Sequence, residues 1–130
     1  MHHTPYNTSI TGLINVAVPV SDQDRAFAFY TQTLGFETRR DLPFGSGRWI
    51  EVAPPGSPTT IALAAASDQQ PTGLDTGIRL ATRDDEADHK AFQAAGVDTD
   101  HEVMRMGEHV PAMFALRDPD GNRLVLVEQS

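Results

Sequence analysis

Two charged residues interrupt otherwise apolar, alternating segments of this chain: Glu51 in Arg48-Trp-Ile-Glu-Val52 and Arg79 in Thr76-Gly-Ile-Arg-Leu-Ala-Thr82. Strand alternation turns both away from their apolar neighbours Ile50, Val52, Ile78 and Leu80. A carboxylate so placed can act as a base or hold a cation, and a guanidinium can hold a ligand carboxylate through two parallel hydrogen bonds. The two can equally pair with each other as structure, because charges withdrawn from water need partners. Trp49, the one tryptophan of the chain, has the same phase as Glu51. It is either core or a stacking platform for a planar ligand.

Other reactive side chains are less organised. His101, Glu102, Glu108 and His109 cluster along the chain, but the first two point to opposite faces of a strand and the second two follow Gly107 in a loop. That is not the spacing of a metal-ligand motif, and it reads as a solvated polar loop. His109 is the member that could act as a general base or touch a ligand, since the strand after it carries Met113, a pocket-lining or core-filling residue. His89, beside Lys90 on a helix, reads as surface. Phe44, in Pro43-Phe-Gly-Ser-Gly47, is a lid or an ordinary packed loop aromatic. There is no phosphate-binding glycine loop, nucleotide fingerprint or nucleophile elbow.

The elements that must position these residues are legible. One domain is the expectation for 130 residues. Two segments, 13–20 and 76–82, alternate like strands and each meets an aspartate, Asp22 or Asp84, suited to cap a helix. Helices are predicted over 23–34, with Ala26, Phe27, Tyr30 and Leu34 as the apolar stripe, and over 85–95, with Ala87, Ala91, Phe92 and Ala95. Gly35 and Gly96 are placed as left-handed C-caps. Strands are predicted at 37–41, 48–52 and 59–64, and again near 99–104, 111–116 and 123–128. Residues 67–76 link the halves, giving βαβββ twice. Asp118-Pro119-Asp120-Gly121-Asn122 reads as a hairpin turn, with Pro119 preset for its first corner and Gly121 free to take positive φ.

Composition narrows the partners. Ten Lys and Arg against eighteen Asp and Glu leave a net charge of −8. With Lys90 the single lysine, no clustered basic surface exists for nucleic acid. An acidic surface serves solubility and also suits a cationic ligand. The absence of cysteine excludes disulfides, thiolate metal sites and a cysteine nucleophile. No apolar run approaches a membrane span, so a soluble cytoplasmic protein is expected. Residues 1–10, with His2 and His3, read as a loose arm before a domain at 11–130 whose modules cover about 11–66 and 75–130.

Three pieces occur in order and at family spacing: Asn15-Val-Ala-Val-Pro-Val-Ser-Asp22, Ala28-Phe-Tyr30 leading into Leu34-Gly-Phe36, and Asp118-Pro-Asp-Gly-Asn122. Together the chain resembles the vicinal oxygen chelate superfamily, the glyoxalase, bleomycin-resistance and extradiol-dioxygenase fold, over about residues 11–129. The resemblance implies an α+β fold: two βαβββ modules forming a curved mixed sheet around a cavity, with helices on the outer face. It also implies a homodimer. Alternation then places Asn15, Ala17, Trp49, Glu51, Thr60, Ala62, Ala64, Gly77, Arg79, Arg123, Val125 and Val127 on the cavity side. The family's inward His and Glu metal ligands match Asn15, Ala62, Gly77 and Val125, of which only Asn15 has a side-chain donor. The expectation is a small-molecule binder with no metal and no cofactor, taking a cationic or aromatic metabolite or antibiotic through Asn15, Trp49, Glu51, Arg79, His109, Met113 and Val125. The alternatives are a lyase, isomerase or dioxygenase with a displaced or degenerate metal site using His109, Glu51 or Glu108, and a metal-free acid–base enzyme using Glu51 and Arg79.

Overall fold

Asp22 and Asp84 start the two helices as their positions suggest. Each sits in non-helical backbone, and its carboxylate accepts from a backbone N–H three residues on, Arg25 at 3.1 Å and Ala87 at 3.1 Å. The computed structural model describes residues 7–129. His2 and His3 lie outside the described residues, as does most of the N-terminal arm. No helix among those described is long and apolar enough to cross a membrane.

The order of elements is β1 (Asn15–Val20), α1 (Gln23–Ala28) continued by a π-helical turn (Phe29–Thr33), β2 (Glu37–Phe44), β3 (Gly47–Ala53), β4 (Thr60–Ala65), then β5 (Asp75–Thr82), α2 (Asp85–Ala94), β6 (Asp98–Thr99), β7 (Met113–Arg117) and β8 (Arg123–Glu128). This is the βαβββ plan twice. The strands pair as two four-stranded mixed sheets, β1-β4-β3-β2 and β5-β8-β7-β6. In each, the first strand runs parallel to the last, and the others are antiparallel. The crossover through a helix is what a parallel neighbour requires.

One apolar core serves both modules. Val18, Ile50, Val52, Ile61 and Leu63 of the first sheet cluster with Phe114, Leu116, Leu124 and Leu126 of the second, and Ile78 and Leu80 pack against them. The alternation phase is therefore as expected. α1 lies on β3 and β4, and α2 on β6, β7 and β8.

The hairpin turn joins the modules. Gly121 N–H donates to the Asp118 carbonyl at 2.9 Å, and Gly121 has φ 81°. That is the tight turn followed by a left-handed residue that Pro119 and Gly121 favour. Buried Asn122 then spans three chain segments. Its amide donates to the Pro19 carbonyl at the end of β1 (2.8 Å) and to Asp118 Oδ2 (3.0 Å), and its Oδ1 accepts from Gly73 and Leu74 N–H at 2.9 and 3.2 Å. From α1's continuation, the Tyr30 hydroxyl donates to Asp118 Oδ2 at 2.9 Å. Burial and the Asp118 charge hold the Tyr30 hydroxyl far above its ordinary value, so it stays a donor.

Three local expectations are corrected. The first helix leaves α geometry after Ala28: Leu34 N–H reaches back five residues to Phe29 (3.1 Å), and the Thr31 hydroxyl bonds the Phe27 carbonyl (2.7 Å) and competes with the regular ladder. The strand predicted near 99–104 shrinks to Asp98–Thr99 plus one bridge between Met104 and Met113. The buried face of α2 is not the alanine stripe. Ala87, Ala91 and Ala95 are exposed, and Asp85 and His89 are buried.

His89 is thus interior rather than surface. Its Nε2–H donates to the Asp100 carbonyl at 2.8 Å, and its ring meets Phe114 edge-on at 5.0 Å. It ties α2 to the chain between β6 and β7, a contact no helical wheel could show. Asp85, wholly buried, has neither carboxylate oxygen hydrogen-bonded among the described residues. Burial, and then the neighbouring Glu128 carboxylate, raise its pKa, with the Arg105 charge opposing. A raised folded value means that Asp85 favours the native state below the ordinary carboxylate range and loses that contribution as pH rises through the folded value. Urea unfolding at pH 5 and pH 8 should show wild type losing more of its midpoint across that interval than Asp85→Asn. Equal losses would mean that Asp85 is ionised throughout.

Candidate functional site

The hairpin of β2 and β3 carries the most organised cluster of candidate side chains. Gly45, at φ 59°, opens its two-residue turn and brings Phe44 opposite Gly47. Gly47 has a second constraint: a Cβ there would lie 2.9 Å from Gln23 Oε1. The Gln23 amide occupies that space, donating to the carbonyls of Arg48 (2.6 Å) and Leu63 (2.9 Å) and accepting from Arg48 N–H (3.1 Å). One side chain of α1 thereby holds the ends of β3 and β4 at a set spacing. Arg48 is fastened by Asp41 and Asp24 and lies 5.6 Å over the Phe27 ring.

Trp49 and Glu51 follow on β3 in the same phase. The Trp49 indole N–H donates to Glu51 Oε2 at 2.6 Å, and the Thr60 hydroxyl donates to Glu51 Oε1 at 2.7 Å. Arg40, on β2, stands 3.9 Å from the same carboxylate. These contacts, the Trp49 hydrogen bond foremost, hold the Glu51 carboxyl below its ordinary range against the opposing effect of burial. Glu51 is therefore an ionised, internally satisfied anchor that sets the plane of Trp49. Phe44 completes the group: exposed at the end of β2, not in a loop, it meets Trp49 edge-on with centroids 5.8 Å apart. Phe44, Trp49, Gly47, Val20, Ala64 and Ala65 line a hollow of about 560 Å³, with Gln23 and Arg48 at its border.

The other candidates lie elsewhere. Asn15 is half-buried opposite Thr60. Arg79 and Val125 are cross-strand partners on the second sheet, with Ala115 beyond Val125. Val125 is buried and Arg79 exposed. Glu51 and Arg79, on different sheets, do not pair, and Arg79 lines a cleft that shares no residue with the Trp49 hollow. Met113 is half-buried opposite Val127. His109 is exposed and borders a shallow surface hollow with Glu108, Arg83, Pro111, Glu128 and Gln129. Arg123 pairs with Asp75 at 3.1 Å. Sequence reading missed Arg40, because a bulge between Thr38 and Arg40 shifts the phase of β2. It also missed Gln23, whose only signal is a polar residue at the first helical position.

Comparison with known proteins follows the same architecture. The family model described as Glyoxalase/Bleomycin resistance protein/Dioxygenase superfamily matches residues 12–126. The chain belongs to this superfamily. The crystal structure of TnmS3, an antibiotic binding protein from Streptomyces sp. CB03234, is similar at 35% identity and TM-score 0.83, over 95% of this chain and 100% of that one. A superfamily member from Sphaerobacter thermophilus DSM 20745 is similar at 34% identity and TM-score 0.85, over 94% and 100%. The protein YetH of Bacillus subtilis (strain 168) is 31% identical over 119 residues, 87% of this chain and 94% of that protein.

Within this superfamily fold, the four positions that the resemblance assigns to metal ligands hold Asn15, Ala62, Gly77 and Val125. They offer one neutral amide oxygen where imidazole and carboxylate donors would be required. Among the described residues, no three His, Cys, Asp or Glu side chains converge as a metal site elsewhere. The residues present do not fit a metal of the superfamily type.

Proposed function

We propose that this protein is a metal-independent small-molecule binder that takes a planar aromatic guest, of the antibiotic or aromatic-metabolite class, against Trp49 and Phe44. The observation that carries this reading is the indole fixed by Glu51 beside an exposed phenyl ring at the mouth of a hollow of about 560 Å³. A stacking surface already held by a hydrogen bond loses little freedom on binding, which favours affinity. Of the two guest types expected, the aromatic one is supported more strongly, because both Glu51 oxygens already accept hydrogen bonds inside the protein. Likeness to an antibiotic binding protein at 35% identity supports the same class. A homodimer belongs to this reading, supported by exposed Ile10, Ile14, Met104 and Met106.

Because Trp49 is the one tryptophan, its fluorescence reports the site directly. Titration of chelator-treated protein with fused-ring aromatic antibiotics should give saturable quenching with a micromolar Kd. Trp49→Ala, followed by calorimetry, should weaken binding roughly tenfold or more, as expected for loss of an aromatic contact of about 1.5 kcal/mol. Binding that disappears on chelation and returns with a divalent metal would overturn the reading. So would stoichiometric metal retained after dialysis and lost in His109→Ala.

A further inference from the structure

We propose that Asp85, Glu128 and Arg83 form a pH-operated latch at the first turn of α2. The Glu128 carboxylate rests on the helix end while Asp85 carries a proton, and turns out to Arg83 when Asp85 releases that proton to solvent. The device is separate from the aromatic site at Trp49 and does not depend on it. Strand phase and contact agree on the closed position. Glu128 continues the side of β8 that places Leu124 and Leu126 in the core, so its side chain starts toward α2, which packs on β8. There, Asp85 N–H donates to Glu128 Oε1 at 3.3 Å.

The closed position needs the proton. Asp85 is wholly buried, and neither of its carboxylate oxygens has a hydrogen-bond partner among the described residues. A carboxylate in that state is costly, whereas a carboxylic acid can donate to the carboxylate beside it. The other charged groups around Asp85 are engaged elsewhere. On α2 and its cap, Asp84 accepts from Ala87 N–H, Asp88 accepts from the Thr82 hydroxyl, and His89 donates to the Asp100 carbonyl. From the segment between β6 and β7, Arg105 is paired with Glu86 at 2.6 Å. Among the described residues, Glu128 is thus the acceptor left to share the Asp85 proton. Once that proton leaves, two carboxylates stand side by side. The one free to move is Glu128, which is half-buried, while the N-terminal end of α2 favours a charge kept at Asp85.

The open position is already prepared. Glu128 borders the surface hollow of about 490 Å³ that it shares with Arg83, Glu108, His109, Pro111 and Gln129. Arg83 makes no ion pair among the described residues, and its guanidinium suits a carboxylate arriving in the hollow. Glu108 opposes that arrival, but it is exposed, so water and salt screen it. Each position therefore gives Glu128 donors: Asp85 in one, Arg83 in the other. Protonation of Asp85 selects between them. Burial and the neighbouring Glu128 carboxylate raise the Asp85 pKa, so the change falls above the ordinary carboxylate range.

The test is carboxyl and amide NMR of the intact protein, titrated from pH 5 to pH 9. The Asp85 Cγ resonance should titrate above the ordinary carboxylate range. In the same step the Asp85 amide proton should move upfield, as its bond to Glu128 is lost, and the Arg83 Nε proton should respond with the same midpoint. Asp85→Asn, whose side-chain amide donates to Glu128 at every pH, should abolish the step in both protons. Arg83→Gln, at an exposed position, should keep the step and move it to higher pH, because the open position loses its partner. Quenching of Trp49 by aromatic guests should be unchanged in both variants. An Asp85 step within the ordinary carboxylate range, or none by pH 9, would overturn the proposal. So would an Asp85 amide proton that stays in place while the carboxyl titrates, the same step in Asp85→Asn, or an unmoved midpoint in Arg83→Gln.

Discussion

Asn122→Ala is expected to lower folding stability by about 3–5 kcal/mol, the largest single-residue effect in the molecule. The substitution strands three groups that Asn122 now satisfies: the Pro19 carbonyl and the N–H groups of Gly73 and Leu74. Leaving a buried polar group without a partner costs about 1–3 kcal/mol. Asn122 is wholly buried, so water does not replace the lost bonds in place. Asn122→Asp separates hydrogen bonding from cavity formation. It keeps the shape and the acceptor for Gly73 and Leu74, removes the donor to Pro19, and sets a second carboxylate against Asp118. It should also destabilise strongly. Tyr30→Phe, which removes one hydrogen bond to Asp118, should cost less, about 1.5–3 kcal/mol. Urea unfolding followed by Trp49 fluorescence and far-ultraviolet dichroism measures all three. A loss under 1 kcal/mol in Asn122→Ala would show that the turn does not lock the modules. A total stability of about 5–15 kcal/mol is usual for a domain, so this one amide holds a sizeable share.

Glu51 carries the second large effect. Glu51→Gln should cost about 1–3 kcal/mol and weaken an aromatic guest at the same time. An amide cannot accept from both the Trp49 indole and the Thr60 hydroxyl, so one of the two donors loses its partner. Trp49 should lose its fixed orientation, visible as a shift in its emission and a rise in its rotational freedom by anisotropy. The pH dependence has a defined sign. The folded carboxyl lies below the ordinary value of 4.5, so its stabilisation is present above that value and is lost as pH falls through the lower, folded one. The stability gap between wild type and Glu51→Gln should stay constant from pH 8 to pH 5 and close in more acidic solution. A gap that widens there, or an unchanged Trp49 signal, would refute the anchoring role.

The architecture was legible because its signals are local. Asp22 and Asp84 cap helices through their own third neighbours, and Gly121 takes the positive φ its turn requires. Alternation assigns Ile50 and Val52 to the core against Trp49 and Glu51. The errors fall where local rules meet distant partners. α2 buries Asp85 and His89 in place of its alanines, because the Asp100 carbonyl and Phe114 give His89 a buried partner and a ring to pack on. β6 ends after Thr99, although residues up to Met104 alternate plausibly. The phase of β2 shifts at Arg39, since a bulge leaves no compositional trace there.

The same division runs through the candidate sites. The resemblance assigns the family's metal-ligand positions to Asn15, Ala62, Gly77 and Val125, and residue type then leaves Asn15 alone among them with a side-chain donor atom. The sequence also determined that Trp49, Glu51 and Arg79 point away from the apolar neighbours Ile50, Val52, Ile78 and Leu80, because strand alternation is geometric. Only the tertiary structure decided which of them meet. Glu51 holds Trp49 and Thr60, and Arg79, on the other sheet, stands by itself in a separate cleft. Only the tertiary structure decided, too, that Asn122 reaches Pro19 across 103 residues of chain. Partners so far apart are brought together by the packing of whole modules, and no spacing within one segment encodes that.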